Sequence, residues 1–200
     1  MGEQTTLSRR KMLGMAGLTL GSVAGTALLS ACGTNVAASS GAGHTLYLSI
    51  ITGRMFSHKG FPAYVPTDIT VPANTAVTVR IANFDDGTAP LPDGSSYLSV
   101  TGVVGGQATV QALSMDTPNV PGPGKAYQTL AGKDLAHTFT VAGLKLNVPM
   151  PVSSVVTFTF NSGKPGTYPW QCNAPCGTGP GGVAGPMLTP GYMVGTLHVV

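Results

Sequence analysis

SVVTFTFNSGKPGTYPWQC, Ser154 to Cys172, is the stretch whose reading decides the fold. Its first half alternates apolar and polar residues at a period of two, the mark of a half-buried strand. Asn161-Ser162-Gly163-Lys164-Pro165-Gly166 then breaks the pattern with turn-forming residues. A second strand, TYPWQC (167–172), comes at once and ends on a cysteine. Cys172 thus lies at the end of a strand, where a rigid sheet can aim its sulfur.

The same rhythm continues in both directions. TLYLSII (45–51), DITVP (68–72) and AVTVRIAN (76–83) precede it, with HTFTV (137–141) between, and MVGTLHVV (193–200) ends the chain. No stretch combines helical periodicity with helix caps. The expectation is an all-β Greek-key β-sandwich spanning 44–200, its two sheets packed through their apolar faces. Residues from about 87 to 134 form a long polar insertion, rich in proline and glycine, with one strand-like core at YLSVTGVV (97–104). A segment of that length should carry structure of its own.

The N-terminus sets the compartment. Ser8-Arg9-Arg10-Lys11-Met12-Leu13 is a twin-arginine pattern, and Met12 to Ala31 is uncharged and rich in Gly and Ala. That run ends in Leu29-Ser30-Ala31-Cys32, which resembles the lipobox of bacterial lipoproteins. Residues 1–31 are therefore expected to be a signal peptide, Cys32 the lipidated residue, and 32–43 a flexible tether of small polar residues. An uncleaved membrane anchor over the same run is the alternative. Either way the domain is expected outside the cytoplasm, held to the bacterial cell membrane. Without Glu3, Arg9, Arg10 and Lys11 the remainder carries seven basic and six acidic residues. No basic stripe is left to hold phosphates, which argues against nucleic acid as a partner. Of three cysteines, only Cys172 and Cys176 remain beyond Cys32, and an oxidising compartment makes a disulfide between them a serious option.

Several segments together resemble the cupredoxins. YVPTDITVPANTAVTVRIANFD (64–85) is similar to their early hairpin, and AHTFTV (136–141) to the segment that supplies a first histidine ligand. PVSSVVTFTF (151–160) and GKPGTYPWQC (163–172) resemble the approach to the ligand cysteine, and GYMVGTLHVV (191–200) the end of plastocyanin-like domains. The resemblance implies a cupredoxin-like sandwich and a copper cofactor held by His137, Cys172 and Met193. Copper cycling between two oxidation states needs a soft thiolate and an imidazole, often with a weak thioether, and these residues supply those types. Met187 is the rival sulfur. Each residue also has a plainer role open to it: His137 as a hydrogen-bonded strand residue, Met193 as core filler, Trp170 as packing beside Cys172. His44, His58 and His198 carry less of the pattern.

Blue copper proteins place a second histidine two to four residues after the cysteine, where this chain has Asn173-Ala174-Pro175-Cys176. The Cys-x3-Cys-Gly-x-Gly run resembles instead the dinuclear copper loop of cytochrome c oxidase subunit II, in which a histidine stands at the position of Pro180. Three outcomes stay open. One copper is held by His137, Cys172, Cys176 and Met193; or copper binds with Cys176 a spectator; or the cysteines form a disulfide and the domain is copper-free. The corresponding functions are an electron carrier in a respiratory chain with a redox partner at the membrane, a copper chaperone or buffer serving a copper-receiving protein, and a binding module using the 87–134 insertion. An independent enzyme is not expected, since a cysteine nucleophile lacks an evident oxyanion site and four histidines are few for a catalytic copper.

Overall fold

The structure, a computed structural model, describes residues 43–55, 61–114, 116, 122–179 and 182–200. Arg9, Arg10, Cys32, the tether and His58 lie outside the described residues. The strands are β1 (His44–Ile51), β2 (Ala63–Val65), β3 (Asp68–Val71), β4 (Ala76–Asn83), β5 (Ala108–Ala112), β6 (Lys125–Tyr127) and β7 (Leu135–Val141). They continue as β8 (Leu146–Pro151), β9 (Ser154–Asn161), β10 (Gly166–Gln171), β11 (Thr178–Gly179), β12 (Gly182–Val183) and β13 (Val194–Val199), with a single helical turn α1 (Gly185–Leu188) before the last.

Two sheets form. One runs β2-β1-β4-β9-β5-β6 and the other β3-β13-β10-β7-β8, while β11 and β12 make a separate small hairpin. Pairing is antiparallel except for β1 with β4 and β3 with β13. The chain changes sheet at β2 to β3, β3 to β4, β6 to β7, β8 to β9 and β9 to β10, the crossing habit of a Greek-key sandwich, so the expected all-β class holds. Alternation explains the core. Val77, Val79 and Ile81 of β4 and Val156, Phe158 and Phe160 of β9 point inward from one sheet, against Phe139, Trp170, Leu197 and Val199 of the other. Tyr64, Phe139 and Trp170 stack beneath the site, their ring centroids 4.8 to 6.0 Å apart. The turn between β3 and β4 places Asn74 at φ 52°, a left-handed conformation that Asn tolerates better than most residues.

The insertion is corrected in one respect. Residues 97–104 are not a strand: Ser96–Leu98 and Val104–Gly106 are 3-10 turns, and the residues between make only isolated bridges, Ser99 to Thr129, Thr101 to Asn147 of one sheet and Val103 to Phe160 of the other. The apolar alternation is real, since Leu98, Val100 and Val103 are buried, but it serves a connection that closes the end of the sandwich. Gly102, at φ 70°, makes that crossing possible, because a Cβ there would come within 2.7 Å of the Lys145 carbonyl. The insertion's actual strands are β5 and β6, which extend the first sheet beyond β9.

Strand β8 is likewise absent from the expected set, because Pro149 and Pro151 interrupt it. It lies at the rim of the second sheet, where a missing N–H costs no ladder bond. The Tyr127 hydroxyl donates to the carbonyl of Pro149 (2.6 Å).

Candidate metal centre

His137, Cys172 and Cys176 come from different segments and converge. One ring nitrogen of His137 and the two sulfurs lie within 4.8 Å of one another, and the sulfurs are 3.4 Å apart, both free thiols. His137 is on β7, just past an irregularity in the pairing with β8 between Leu135 and His137. Cys172 lies one residue beyond the end of β10, on the same inward face as Trp170. Thr138 holds that end in place twice: its backbone N–H points at the Cys172 sulfur (3.3 Å) and its hydroxyl accepts from the Asn173 N–H (2.7 Å). Cys176 comes after the tight Ala174-Pro175 turn, where its N–H reaches the Ala174 carbonyl (2.7 Å). The sequence places His137 at the rim of the core; the structure encloses it wholly, as it does Cys172, with Cys176 only 2% exposed.

A residue that nothing in the sequence singles out completes the arrangement. Asp85, in the loop after β4, places a carboxylate oxygen 3.0 Å from His137 Nε2. Its other oxygen accepts from the Gly87 N–H (3.1 Å), and its own N–H donates to Asn83 (3.0 Å), so the carboxylate is fixed from both sides. Nothing local in Asn-Phe-Asp-Asp-Gly marks that role, because the contact spans 52 residues. The result is an imidazole oriented through Nε2 by a carboxylate, which is how proteins present Nδ1 to a metal. Nδ1 is buried and has no hydrogen-bond partner. An enclosed nitrogen left without one beside two thiols is costly unless something ligates it.

The charges agree with this geometry. Burial pushes His137 down, but the hydrogen bond to Asp85 and the neighbouring Cys172 sulfur outweigh it and raise it to about 9. No hydrogen bond of ordinary geometry reaches Nδ1, so the pull of Cys172 on the ring is electrostatic. Burial would raise Cys172, yet the hydrogen bond from Cys176, the charge of the His137 ring and the Thr138 N–H hold it well below the usual thiol range. Cys176 moves the other way, raised first by sharing its proton with Cys172 and then by burial. Asp85 is lowered because the histidine's pull exceeds the effect of burial. The directions together favour charge on the His137 ring, on Cys172 and on Asp85, and keep the proton on Cys176. Two thiolate-forming sulfurs and one imidazole are a soft donor set that fits copper.

Met193 is fully buried, and its carbonyl accepts from the Cys172 N–H (2.8 Å), which sets its backbone beside the site. Met187 is half-buried on α1. Met150, which the sequence does not mark, stands directly across from His137 in the β7–β8 register, with its sulfur 3.8 Å from the Tyr64 hydroxyl. Trp170 packs as expected on the core side and donates its indole N–H to the Thr67 carbonyl (2.9 Å). His44 and His198 join no cluster of potential ligands among the described residues.

A cleft of about 310 Å³ opens beside the centre, between the segment after β1 (Thr52 to Arg54), the loop after β4 and Cys176. Asp85 and Cys176 line it; His137 and Cys172 do not. At its mouth Arg54 and Asp86 form an exposed ion pair (3.3 Å), which adds little stability.

No protein family matches this sequence, and no curated protein does either. Among solved structures the chain is similar to auracyanin B, at 19% identity over 78% of this chain and 88% of that one, with a TM-score of 0.35. It is similar to a reduced auracyanin of Roseiflexus castenholzii, at 15% identity over 80% and 99% of the two chains (TM-score 0.36). A purple cupredoxin of Nitrosopumilus maritimus matches at 12% identity over 78% and 99% (TM-score 0.29). A copper-containing nitrite reductase is matched over 31% of its own length. With TM-scores this low, none of these likenesses bears on the site.

Proposed function

We propose that the protein binds copper at His137, Cys172 and Cys176 and carries electrons. The observation that carries this reading is the buried Nδ1 of His137, held by Asp85 through Nε2 and left without a hydrogen bond beside two free thiols. Copper at that position supplies one-electron chemistry, passing between two oxidation states. The protein's part is to keep the donors still. Thr138 fixes the Cys172 sulfur, Asp85 fixes the ring, and the aromatic layer below keeps water out. Rigid donors lower the reorganisation that accompanies a change of oxidation state. Met193, buried with its backbone against Cys172, is proposed as the weak thioether donor. The missing imidazole after Cys176 argues for a single ion.

The finer reading rests on the N-terminal sequence. Arg9 and Arg10 direct export, Cys32 carries a lipid, and residues 33–43 tether the domain near a redox partner in a membrane-bound respiratory chain, where tethering raises effective concentration. A second reading is favoured by one observation, the 3.4 Å approach of two sulfurs: a site this rich in sulfur holds Cu(I) tightly and suits a chaperone or buffer that hands copper to a receiving protein. For an independent enzyme the site offers a single imidazole.

Copper loading under reducing and then oxidising conditions, with metal analysis and visible spectroscopy at each stage, separates these. Intense thiolate-to-copper absorption that bleaches reversibly supports electron transfer. Tight Cu(I) uptake with no coloured oxidised form supports the chaperone. Failure to take up metal refutes both and leaves a binding module.

A further inference from the structure

The two sulfurs of the centre face different surroundings, and that asymmetry points to chemistry beyond holding a metal. Cys172 is wholly enclosed and receives the Thr138 N–H at 3.3 Å, whereas Cys176 lines the cleft. Their sulfurs, 3.4 Å apart, need to close to about 2.05 Å to form a bond. A disulfide is opened by a thiolate that attacks one sulfur in line with the bond, so the sulfur that can be approached from outside decides which is attacked and which leaves. Here Cys176 lines the cleft and keeps a trace of exposure (2%), whereas Cys172 does neither.

We propose that the 172–176 pair is also a thiol–disulfide exchange centre of fixed polarity: in the metal-free protein it closes to a disulfide, and a low-molecular-weight thiol entering the cleft reopens it by attacking Cys176. The inference rests on the metal site proposed for the same residues. In the first step the incoming thiolate forms a bond to Cys176 Sγ while the Cys172–Cys176 bond breaks, and the electron pair departs on Cys172 Sγ. That leaving thiolate is received by the Thr138 N–H. In the second, another thiolate attacks the outer sulfur of the mixed disulfide, releasing a small-molecule disulfide and Cys176 as a thiolate, which takes a proton from water. The protein pair gains two electrons and two small thiols lose them. Closure is the reverse, with a small-molecule disulfide as oxidant. The exchange readies the pair for copper, because only the opened form has both sulfurs free to ligate.

The test uses metal-free protein, so its outcome does not depend on whether copper binds. The protein is oxidised with glutathione disulfide, exposed briefly to reduced glutathione, quenched in acid with N-ethylmaleimide and mapped by mass spectrometry. Glutathione on Cys176 with maleimide on Cys172 is the expected result. Glutathione on Cys172, or no 172–176 disulfide after oxidation, overturns the proposal. Thr88→Trp, at the exposed edge of the cleft, should slow reduction of the disulfide by about tenfold or more while leaving the circular dichroism spectrum unchanged. An unchanged rate in a folded Thr88→Trp protein also overturns it.

Discussion

Replacing Asp85 by Asn removes the charge 3.0 Å from His137 Nε2 and keeps an oxygen that can accept the same hydrogen bond. Two opposing effects result, and their pH dependence separates them. In the metal-free protein His137 titrates at about 9, chiefly because Asp85 holds its charged form against the effect of burial. At pH 7, two units lower, the proton on the ring weakens metal binding by about a hundredfold, or roughly 2.7 kcal/mol. Without the carboxylate the ring should titrate closer to its ordinary 6.5, and most of that competition disappears. Against this, the ligand loses the partner that orients it and raises its basicity, and such losses weaken metal binding by about 10- to 100-fold. The wild type should therefore bind Cu(I) no more tightly than Asp85→Asn near pH 7, and about 10-fold more tightly at pH 9.5, where the ring is mostly deprotonated in both proteins. Competition against a coloured Cu(I) chelator across that range gives the ratio of affinities, and NMR titration of the His137 ring protons gives its pKa directly. A ratio that does not change with pH, or a His137 that still titrates near 9 in the variant, would show that the carboxylate does not act through the ring.

The same geometry sets other outcomes. Cys172→Ser should abolish copper uptake measured by metal analysis, whereas Cys176→Ser should retain weakened binding, since Cys172, the enclosed sulfur that the Thr138 N–H holds beside the imidazole, is then still in place. In the metal-free protein, His137 contributes stability that is complete below its ordinary 6.5 and is lost as pH rises through about 9. Cys172, lowered from 9.0, contributes stability that is lost as pH falls. Between about 6.5 and 9 the folded and unfolded chains then hold equal numbers of protons on this pair, so the melting temperature should stay level there and decline on acidification below it. In Cys172→Ser the level stretch should become a fall with rising pH, read by thermal melts at a series of pH values. Gly195→Ala should destabilise the fold by about 1–3 kcal/mol in urea unfolding, because a Cβ there runs into the Thr67 carbonyl and comes within 2.7 Å of the Trp170 ring.

Burial decides how much of the fold is legible in the sequence. Strands such as β4 and β9 show their alternation plainly, and β10 is readable to within a residue at each end, following directly on the turn residues 161–166. Strands at the sheet margins do not announce themselves. β6 is three residues long, β5 has a single fully buried residue, and β8 is interrupted by prolines that a central strand would not accept. The 97–104 segment shows the converse, an alternating pattern produced by packing between two sheets rather than by pairing within one. At the site, His137, Cys172 and Cys176 can be nominated because their residue types are scarce. Asp85 cannot be, since a carboxylate in a turn is commonplace until a fold brings an imidazole to it.

The margins of the sandwich have a further consequence. Both ends of each sheet offer little for a neighbour's backbone to bind: β2, β6 and β3 have three or four residues each, and the longer β8 withholds two amide donors at its prolines while Tyr127 occupies the oxygen of one. Copies of this domain crowded together thus have few places to zip strand to strand, a safeguard against amyloid-like aggregation that is set at the rims and leaves the core sequence free to serve the centre.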